Sequence, residues 1–225
     1  MRVLALVHGP LVRSELFGDV VREQGHELVE WMLPTQGPPP EGFDAVMVFG
    51  GRMNVGEEAD NPWLDDEYEL LRGWVAEEKP LLGVCLGAQT LAYATGGRVG
   101  RAPLGQAGFY EVALSDDGRD DPVLGVLPER FEALLVNAYE FEPPPAATRL
   151  AATPEQQQAF RVGRRAWGVQ FHPEVRKEQV LGWWSDGRAL PQPLPVLGEL
   201  LDAKLPSWHD LGRKICLAFL EAASD

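Results

Sequence analysis

Short apolar runs alternate with amphipathic segments through the first half of the chain. The runs predicted to form buried strands are Val3–Val7, Leu28–Trp31, Ala45–Phe49 and Leu81–Val84. The segments predicted to form helices are Ser14–Gln24, Pro62–Glu77 and Gly87–Thr95. Ser14 can cap the first helix, and Gly25 can end it. Strands and helices alternating at this spacing predict a parallel, doubly wound sheet with helices on both faces.

The second half of the chain has short strand-like runs separated by turns. The predicted strands are Phe109–Leu114, Phe131–Val136, Thr148–Ala152, Gln158–Arg161 and Trp167–Phe171. After these strands, we predict a helix over Gln179–Trp184. A surface excursion is predicted over Gly187–Pro206, which contains four prolines. A closing helix is predicted over His209–Ala223. The expected fold class is α/β, with a mostly parallel, flavodoxin-like sheet and antiparallel strands added in the second half.

Neither an internal repeat nor a low-complexity linker divides the sequence. We therefore expect one domain over residues 1–225. Its core is expected over about 1–186, and the Pro-rich excursion and closing helix over 187–225.

The amino-acid composition limits the classes of molecule that we expect the protein to bind. The chain has 20 lysines and arginines against 34 aspartates and glutamates, for a formal charge of −14. Nucleic acids and anionic membranes are held by basic patches, so we expect neither as a partner. The apolar N-terminus is interrupted early by His8-Gly9-Pro10, which argues against a signal peptide, and no apolar run approaches the ~18 residues of a membrane span. Two cysteines and four scattered histidines form no disulfide or metal motif. We expect a cytoplasmic protein with free thiols and neither a metal nor another cofactor.

The sharpest local motif is Gly83-Val84-Cys85-Leu86-Gly87, which places a cysteine between a predicted strand and a predicted helix. This Gly-x-Cys-x-Gly spacing is that of a nucleophile elbow with cysteine in place of serine. The helix would direct its free N–H groups and positive dipole at the sulfur, which favours the thiolate. The N–H of Leu86 would then be placed to stabilise an oxyanion. The simpler interpretation is a buried structural cysteine.

His172 is the leading candidate for a base beside Cys85, because it ends a predicted strand and is followed by Pro173-Glu174. In an extended chain His172 and Glu174 project to the same side, so the carboxylate can fix the imidazole tautomer. The simpler interpretation is a strand end with a solvated glutamate. The other histidines are His8, a rival base at the end of a strand, and His26 and His209, which are expected at the surface.

A pair of glycines, Gly50-Gly51, ends the third predicted strand. Glycines at that position leave backbone N–H groups open to a ligand and could supply a second oxyanion donor. The alternative is an ordinary strand-to-loop turn. The absence of a following Lys-Ser/Thr pair argues against a phosphate loop.

Taken together, Gly50-Gly51, the Cys85 elbow and Gly168-Val169-Gln170-Phe171-His172-Pro173-Glu174 resemble the class I (triad) glutamine amidotransferases. In particular, the chain resembles stand-alone proteins similar to the glutaminase domain of GMP synthase. The resemblance implies that Cys85 attacks the side-chain amide of glutamine, that His172 moves the proton and that Glu174 orients His172. It also implies that Gly51 and Leu86 are the oxyanion donors and that Gln89 helps to hold the glutamine.

The chain departs from this family where the amino-acid end of glutamine should be held. The corresponding stretch is Val136-Asn137-Ala138-Tyr139, in which Asn137 replaces a histidine and Ala138 a glycine. Gln106 replaces an expected glutamate. The expected substrate is therefore glutamine or another γ-glutamyl amide.

Three other functions remain compatible with the sequence. The elbow also fits γ-glutamyl hydrolases and cysteine peptidases of related fold, or a non-catalytic regulatory subunit that retains the triad. A thiol sealed off by Tyr139 or Arg52 would favour the regulatory subunit. No acceptor domain is recognisable, so the chain is expected either to work alone as an amidase or to pass ammonia to a synthetase or other protein partner.

Overall fold

The computed structural model of the chain describes residues 1–184 and 194–224. Within these residues the strands are β1 Arg2–Val7, β2 Glu27–Met32, β3 Ala45–Val48, β4 Leu81–Val84, β5 Arg98–Leu114, β6 Arg130–Glu142, β7 Thr148–Ala152, β8 Gln157–Val162 and β9 Ala166–Val169. The helices are α1 Glu15–Glu23, α2 Leu33–Gln36, α3 Trp63–Ala76, α4 Leu86–Ala94, α5 Asp116–Arg119, α6 Lys177–Gly182 and α7 Leu194–Ser224.

All of these strands belong to one mixed sheet with the order β2-β1-β3-β4-β9-β8-β7-β5-β6. Neighbours from β2 to β9 are parallel, and every pairing from β9 to β6 is antiparallel. The predicted fold class is confirmed, including the antiparallel strands of the second half.

The central parallel strands β1, β3, β4 and β9 are buried on both faces, as their continuous apolar runs predicted. Alternate residues of β1 enter different cores: Val3 and Ala5 pack with α1 and α7, whereas Leu4 and Leu6 pack with α3 and α4. Helices on both faces bury the parallel strands. The carboxyl ends of these strands stay uncovered, and a ligand can bind there. No helix among the described residues is long and apolar enough to cross a membrane.

The predicted surface excursion over Gly187–Pro206 is wrong from Leu194 onward. One helix, α7, begins there and continues to Ser224, so the closing helix is much longer than the predicted His209–Ala223. The first part of the predicted excursion, residues 187–193, lies outside the described residues.

The prolines of Gly187–Pro206 are the reason why a surface excursion was predicted in place of a helix. Pro195 lies in the first turn of α7, where its missing N–H is not needed by the helix. Pro206 is inside the helix, but the apolar stripe continues on both sides of it. The buried residues of that stripe are Leu197, Leu201, Leu205 and Trp208.

Two local predictions are also corrected. Ser14 is at the N-terminus of α1, but its side chain does not cap the helix and donates instead to Glu30. The strands predicted at Phe109–Leu114 and Phe131–Val136 are parts of the longer β5 and β6, which stay paired across a bulge between Arg101 and Gln106. The longer β6 therefore includes the whole predicted substrate-holding stretch.

Candidate functional site

Four adjacent parallel strands end at the same edge of the sheet, and each is followed by a predicted site residue. Those residues are His8 after β1, Gly50 after β3, Cys85 after β4 and His172 after β9. The carboxyl ends of parallel strands are where open α/β sheets bind ligands.

Cys85 lies in a tight turn between β4 and α4, with a φ of 54° and a ψ of −107°. A positive φ is strained for a residue with a side chain. Neighbouring glycines permit the turn: a Cβ on Gly83 would lie 2.4 Å from the Gly87 oxygen, and one on Gly87 would lie 2.1 Å from the Val48 oxygen. The Cys85 N–H donates to Val169 at 2.8 Å. The tight strand-to-helix turn predicted around Cys85 is confirmed.

His172 and Glu174 are brought together with Cys85. Nδ1 of His172 is 2.9 Å from Oε1 of Glu174, and both side chains are buried. The imidazole and the Cys85 side chain both lie against Gly50, since a Cβ there would be 3.2 Å from Cε1 of His172 and 3.6 Å from Cβ of Cys85. Because Nδ1 faces Glu174, the Nε2 edge of the ring is left for the sulfur. Carboxylate, imidazole and sulfur are thus grouped at one place, which is compatible with an orienting group, a base and a nucleophile.

The segment that carries His172 is fixed by groups that the sequence did not reveal. Trp208 on α7 donates from Nε1 to the His172 oxygen at 2.7 Å. A Cβ on Gly212 would lie 2.2 Å from the Pro173 oxygen, so α7 packs directly on this segment. The Trp183 ring lies 4.7 Å from the imidazole. The only sequence signal for Trp208 was its place in the leucine stripe of α7.

The charge state of His172 follows from its neighbours. Burial alone would lower its pKa, but the negative charges of Cys85 and Glu174 and the hydrogen bonds to both outweigh burial and raise the pKa to about 10. Since the ordinary value is 6.5, the positive charge of His172 persists through neutral pH and is lost only as the pH approaches 10. A cation that persists at neutral pH stabilises a thiolate beside it.

Alkylation of Cys85 should report the positive charge of His172. We expect His172→Ala to react with iodoacetamide at least about tenfold more slowly than the native chain at pH 7, because His172 is protonated there and stabilises a thiolate beside it. The difference between the two proteins should shrink as the pH approaches 10, where His172 loses its charge. The modified residue is identified by peptide mass mapping. Equal rates for the native chain and the variant at pH 7 would contradict a role for His172 in activating the sulfur.

Two backbone N–H groups lie beside the elbow. Gly51 packs against the residue after Cys85, since a Cβ on Gly51 would lie 2.4 Å from Cδ2 of Leu86. Within residues 1–184 and 194–224, neither the Gly51 N–H nor the Leu86 N–H donates a hydrogen bond. Free backbone donors beside a cysteine side chain could form an oxyanion hole.

The predicted substrate-holding residues are also at the site. Val136, Asn137, Ala138 and Tyr139 line the same cavity as Cys85 and Gln89. The Val136 oxygen is 4.0 Å from the Cys85 sulfur. Gln89 Nε2 donates to the Tyr139 oxygen at 3.1 Å, and Asn137 Nδ2 donates to the same oxygen at 3.1 Å. Both amides therefore brace β6 at the cavity wall. Gln106 accepts a hydrogen bond from Gln158, which is a neutral contact where the family resemblance predicted a glutamate.

His8, the rival base, has both ring nitrogens occupied. Nδ1 is 2.9 Å from the Gly50 oxygen, and Nε2 is 2.7 Å from Oε2 of Glu67. Burial alone would lower the pKa of His8, but the charge of Glu67 and the hydrogen bonds outweigh it, so the pKa is raised. His8 thus has no nitrogen available to take a proton from Cys85. His209, expected at the surface, is partly exposed, with Nε2 2.9 Å from the Val175 oxygen. His26 is also only partly exposed.

The site opens onto a cavity of about 660 Å³ with Cys85 and His172 in its wall. Tyr139 and Arg52, which could have sealed the thiol, line this wall as well. Apolar side chains form much of the remainder: Leu11, Val12, Met53, Trp183 and Trp184. The sulfur is therefore next to space that a small molecule can occupy.

The chain belongs to the class I glutamine amidotransferase family: residues 20–180 match the family described as "Glutamine amidotransferase class-I". One subunit of the glutamine-hydrolyzing GMP synthase of Ignicoccus hospitalis is 35% identical over 158 residues, which are 68% of this chain and 78% of that protein. The glutamine-hydrolyzing GMP synthase of Aeropyrum pernix is 43% identical over 135 residues, 56% of this chain but only 26% of that longer protein.

A solved structure agrees with this assignment over almost the whole chain. The crystal structure of a glutamine amidotransferase from Thermotoga maritima has a TM-score of 0.88 and 26% sequence identity, and the match covers 98% of each chain. The match therefore includes the region of the long closing helix as well as the sheet.

Proposed function

We propose that the chain hydrolyses the side-chain amide of glutamine or of a related γ-glutamyl compound, with Cys85 as the nucleophile. The observation that carries this proposal is that His172, hydrogen-bonded to Glu174, lies with Cys85 beside Gly50 at the wall of the cavity. Family membership supports the same reaction class.

The first half of the proposed reaction forms an acyl-enzyme. The Cys85 thiolate attacks the carbonyl carbon of the γ-amide, and the carbonyl oxygen becomes an oxyanion facing the Gly51 and Leu86 N–H groups. The His172 imidazolium gives its proton to the amide nitrogen as the C–N bond breaks. Ammonia leaves, and a γ-glutamyl thioester remains on the sulfur.

In the second half, His172 is neutral and can take a proton from water. The resulting hydroxide equivalent attacks the thioester, the C–S bond breaks, and glutamate leaves as Cys85 returns to thiolate. Glu174 holds Nδ1 of the imidazole throughout, so the ring keeps its tautomer in both halves. The hydrogen bond from Trp208 to the His172 backbone keeps the ring in the same place.

We further propose that the ammonia is passed to a separate synthetase. The relative from Ignicoccus hospitalis is named as one subunit of GMP synthase, which indicates a glutaminase chain that serves a partner. Adding a cognate synthetase chain to the purified protein should raise glutamate release about 5- to 150-fold, the usual range of coupling between sites. Robust release that no synthetase changes would instead identify a free-standing amidase.

A second candidate substrate class is favoured by the cavity. Its volume of about 660 Å³ and its apolar wall suit a γ-glutamyl amide with a larger apolar group on the nitrogen. Such a compound would use the same chemistry, with an amine leaving in place of ammonia.

Initial rates on three substrates test the proposal and separate the candidates. Glutamate release from glutamine and aniline release from a γ-glutamyl anilide are measured on the purified chain, with the α-glutamyl anilide as the matched control. A higher kcat/KM for glutamine favours the amidotransferase reaction, and a higher value for the γ-anilide favours the second class. Cleavage of the α-anilide at an equal rate would point to a peptidase. No release from any substrate, with or without a synthetase, would support a purely regulatory role and overturn the proposal.

A further inference from the structure

A second buried ionisable pair lies beside the proposed triad. His8 and Glu67 have fully buried side chains, and their 2.7 Å contact joins the end of β1 to α3. The Trp63 ring stacks on the imidazole at 5.1 Å. Thr90 on α4, the helix that begins after Cys85, donates to the other Glu67 oxygen at 2.6 Å. Burying two ionisable groups is costly unless their hydrogen bonds are well formed, and here they are.

At the other end of this network, the Nδ1 side of the His8 ring contacts the glycine loop, which is formed by Gly50 and Gly51. A carbonyl oxygen can only accept, so the 2.9 Å contact between His8 Nδ1 and the Gly50 oxygen requires a proton on Nδ1. Glu67 faces Nε2 and so holds the ring with Nδ1 directed at Gly50. The result is a continuous link from the cysteine helix, through Thr90, Glu67 and His8, to the Gly50 carbonyl.

The orientation of one end of a peptide unit fixes the other. The peptide between Gly50 and Gly51 is trans and planar, so its C=O and N–H point in opposite directions. With the Gly50 oxygen held by His8, the Gly51 N–H points away from His8. Gly50 itself lies against the reactive pair, since a Cβ there would be 3.2 Å from Cε1 of His172 and 3.6 Å from Cβ of Cys85.

We propose that His8 is a positioning residue, held by Glu67, that fixes the Gly50–Gly51 peptide so that the Gly51 N–H can stabilise the oxyanion. Two flexible glycines in succession have no side chain to hold this peptide, which makes an external hydrogen bond necessary. The inference rests on the proposed amide hydrolysis at Cys85, and it assigns a separate role to the histidine that the sequence presented as a rival base.

A matched pair of variants isolates the hydrogen bond to Gly50. His8→Asn and His8→Leu place side chains of similar size at position 8, and both remove the contact with Glu67. Only asparagine keeps an N–H near the position of Nδ1. Loss of stability from the unpaired Glu67 is therefore common to the two variants, and melting curves of both verify that each is folded at the assay temperature.

We expect kcat of His8→Leu to be about 100-fold below that of His8→Asn, with little change in KM, because an oxyanion donor acts mainly in the transition state. Iodoacetamide alkylation of Cys85 forms no oxyanion at a carbonyl, so its rate should agree within about twofold between the variants. A purely structural role for His8 would lower turnover and alkylation together. Equal kcat values in the two variants, or a parallel fall in alkylation, would overturn the proposal.

Crystal structures of the two variants give a readout that does not depend on turnover. We expect the Gly50 carbonyl to keep its native direction in His8→Asn and to be rotated or split between orientations in His8→Leu. A native peptide orientation in His8→Leu would refute the positioning role even if the native chain hydrolysed no γ-glutamyl amide. Absence of turnover in the native chain would overturn the proposed function alone.

Discussion

Cys85→Ala is expected to lower γ-glutamyl amide hydrolysis more than about 10⁴-fold, because an alanine side chain cannot form the thioester. The substrate should still bind, since the cavity and the glycine loop do not depend on the sulfur. Steady-state glutamate release gives the loss of turnover. Calorimetric titration with the preferred substrate gives the retained affinity, and it is simpler in this variant because the substrate is not consumed.

Cys216 provides a matched control on the same chain. It is fully buried on α7, with its sulfur 3.8 Å from the Phe17 oxygen, and burial raises the pKa of its thiol. Cys216→Ala should therefore keep turnover within about twofold while losing some stability through the small cavity it leaves. Substantial hydrolysis by Cys85→Ala, or an equal loss in both variants, would remove Cys85 from the proposed role.

Gly87→Ala is expected to destabilise the fold by about 3 kcal/mol, the upper end of the usual cost of overpacking, because the added methyl would overlap a fixed backbone group. Its Cβ would lie 2.1 Å from the Val48 oxygen, and neither β3 nor α4 can move without disturbing the sheet. Urea denaturation measures the change in the free energy of unfolding. Alkylation of Cys85 should also change, since the elbow must open to admit the methyl group.

Gly73 on α3 is the appropriate control for this substitution. A Cβ at Gly73 would have no atom within 4 Å. Gly73→Ala should therefore stabilise the protein by about 0.5–1 kcal/mol, since alanine favours a helix interior. A Gly87→Ala protein as stable as Gly73→Ala would contradict the close packing of the elbow against β3.

The parallel half of the fold was predictable because its signals are local. Buried parallel strands are continuous apolar runs, and β4 was predicted with its observed bounds, Leu81–Val84. The glycines of the elbow, Gly83 and Gly87, could be identified from the sequence for the same reason, because a few consecutive residues determine the turn. The proximity of His172 and Glu174 followed from the two-residue period of an extended chain.

What the sequence did not reveal depends on contacts between distant segments. The pair formed by His8 and Glu67 joins residues 59 positions apart, and the bond from Trp208 to His172 spans 36 positions. Nothing near either residue indicates its partner. The beginning of α7 was missed because four prolines in Gly187–Pro206 predicted a loop, whereas burial of the leucine stripe against the sheet favours a helix.

The thioester itself is the central species of the proposed reaction, and trapping it is the most direct test. The native chain is mixed with its preferred γ-glutamyl substrate, quenched in acid within the first turnovers, and digested for peptide mass mapping. We expect a γ-glutamyl group on the peptide that contains Cys85, absent from Cys85→Ala and removed by hydroxylamine. Substrate turnover without any adduct on Cys85, or an adduct on another residue, would contradict the account.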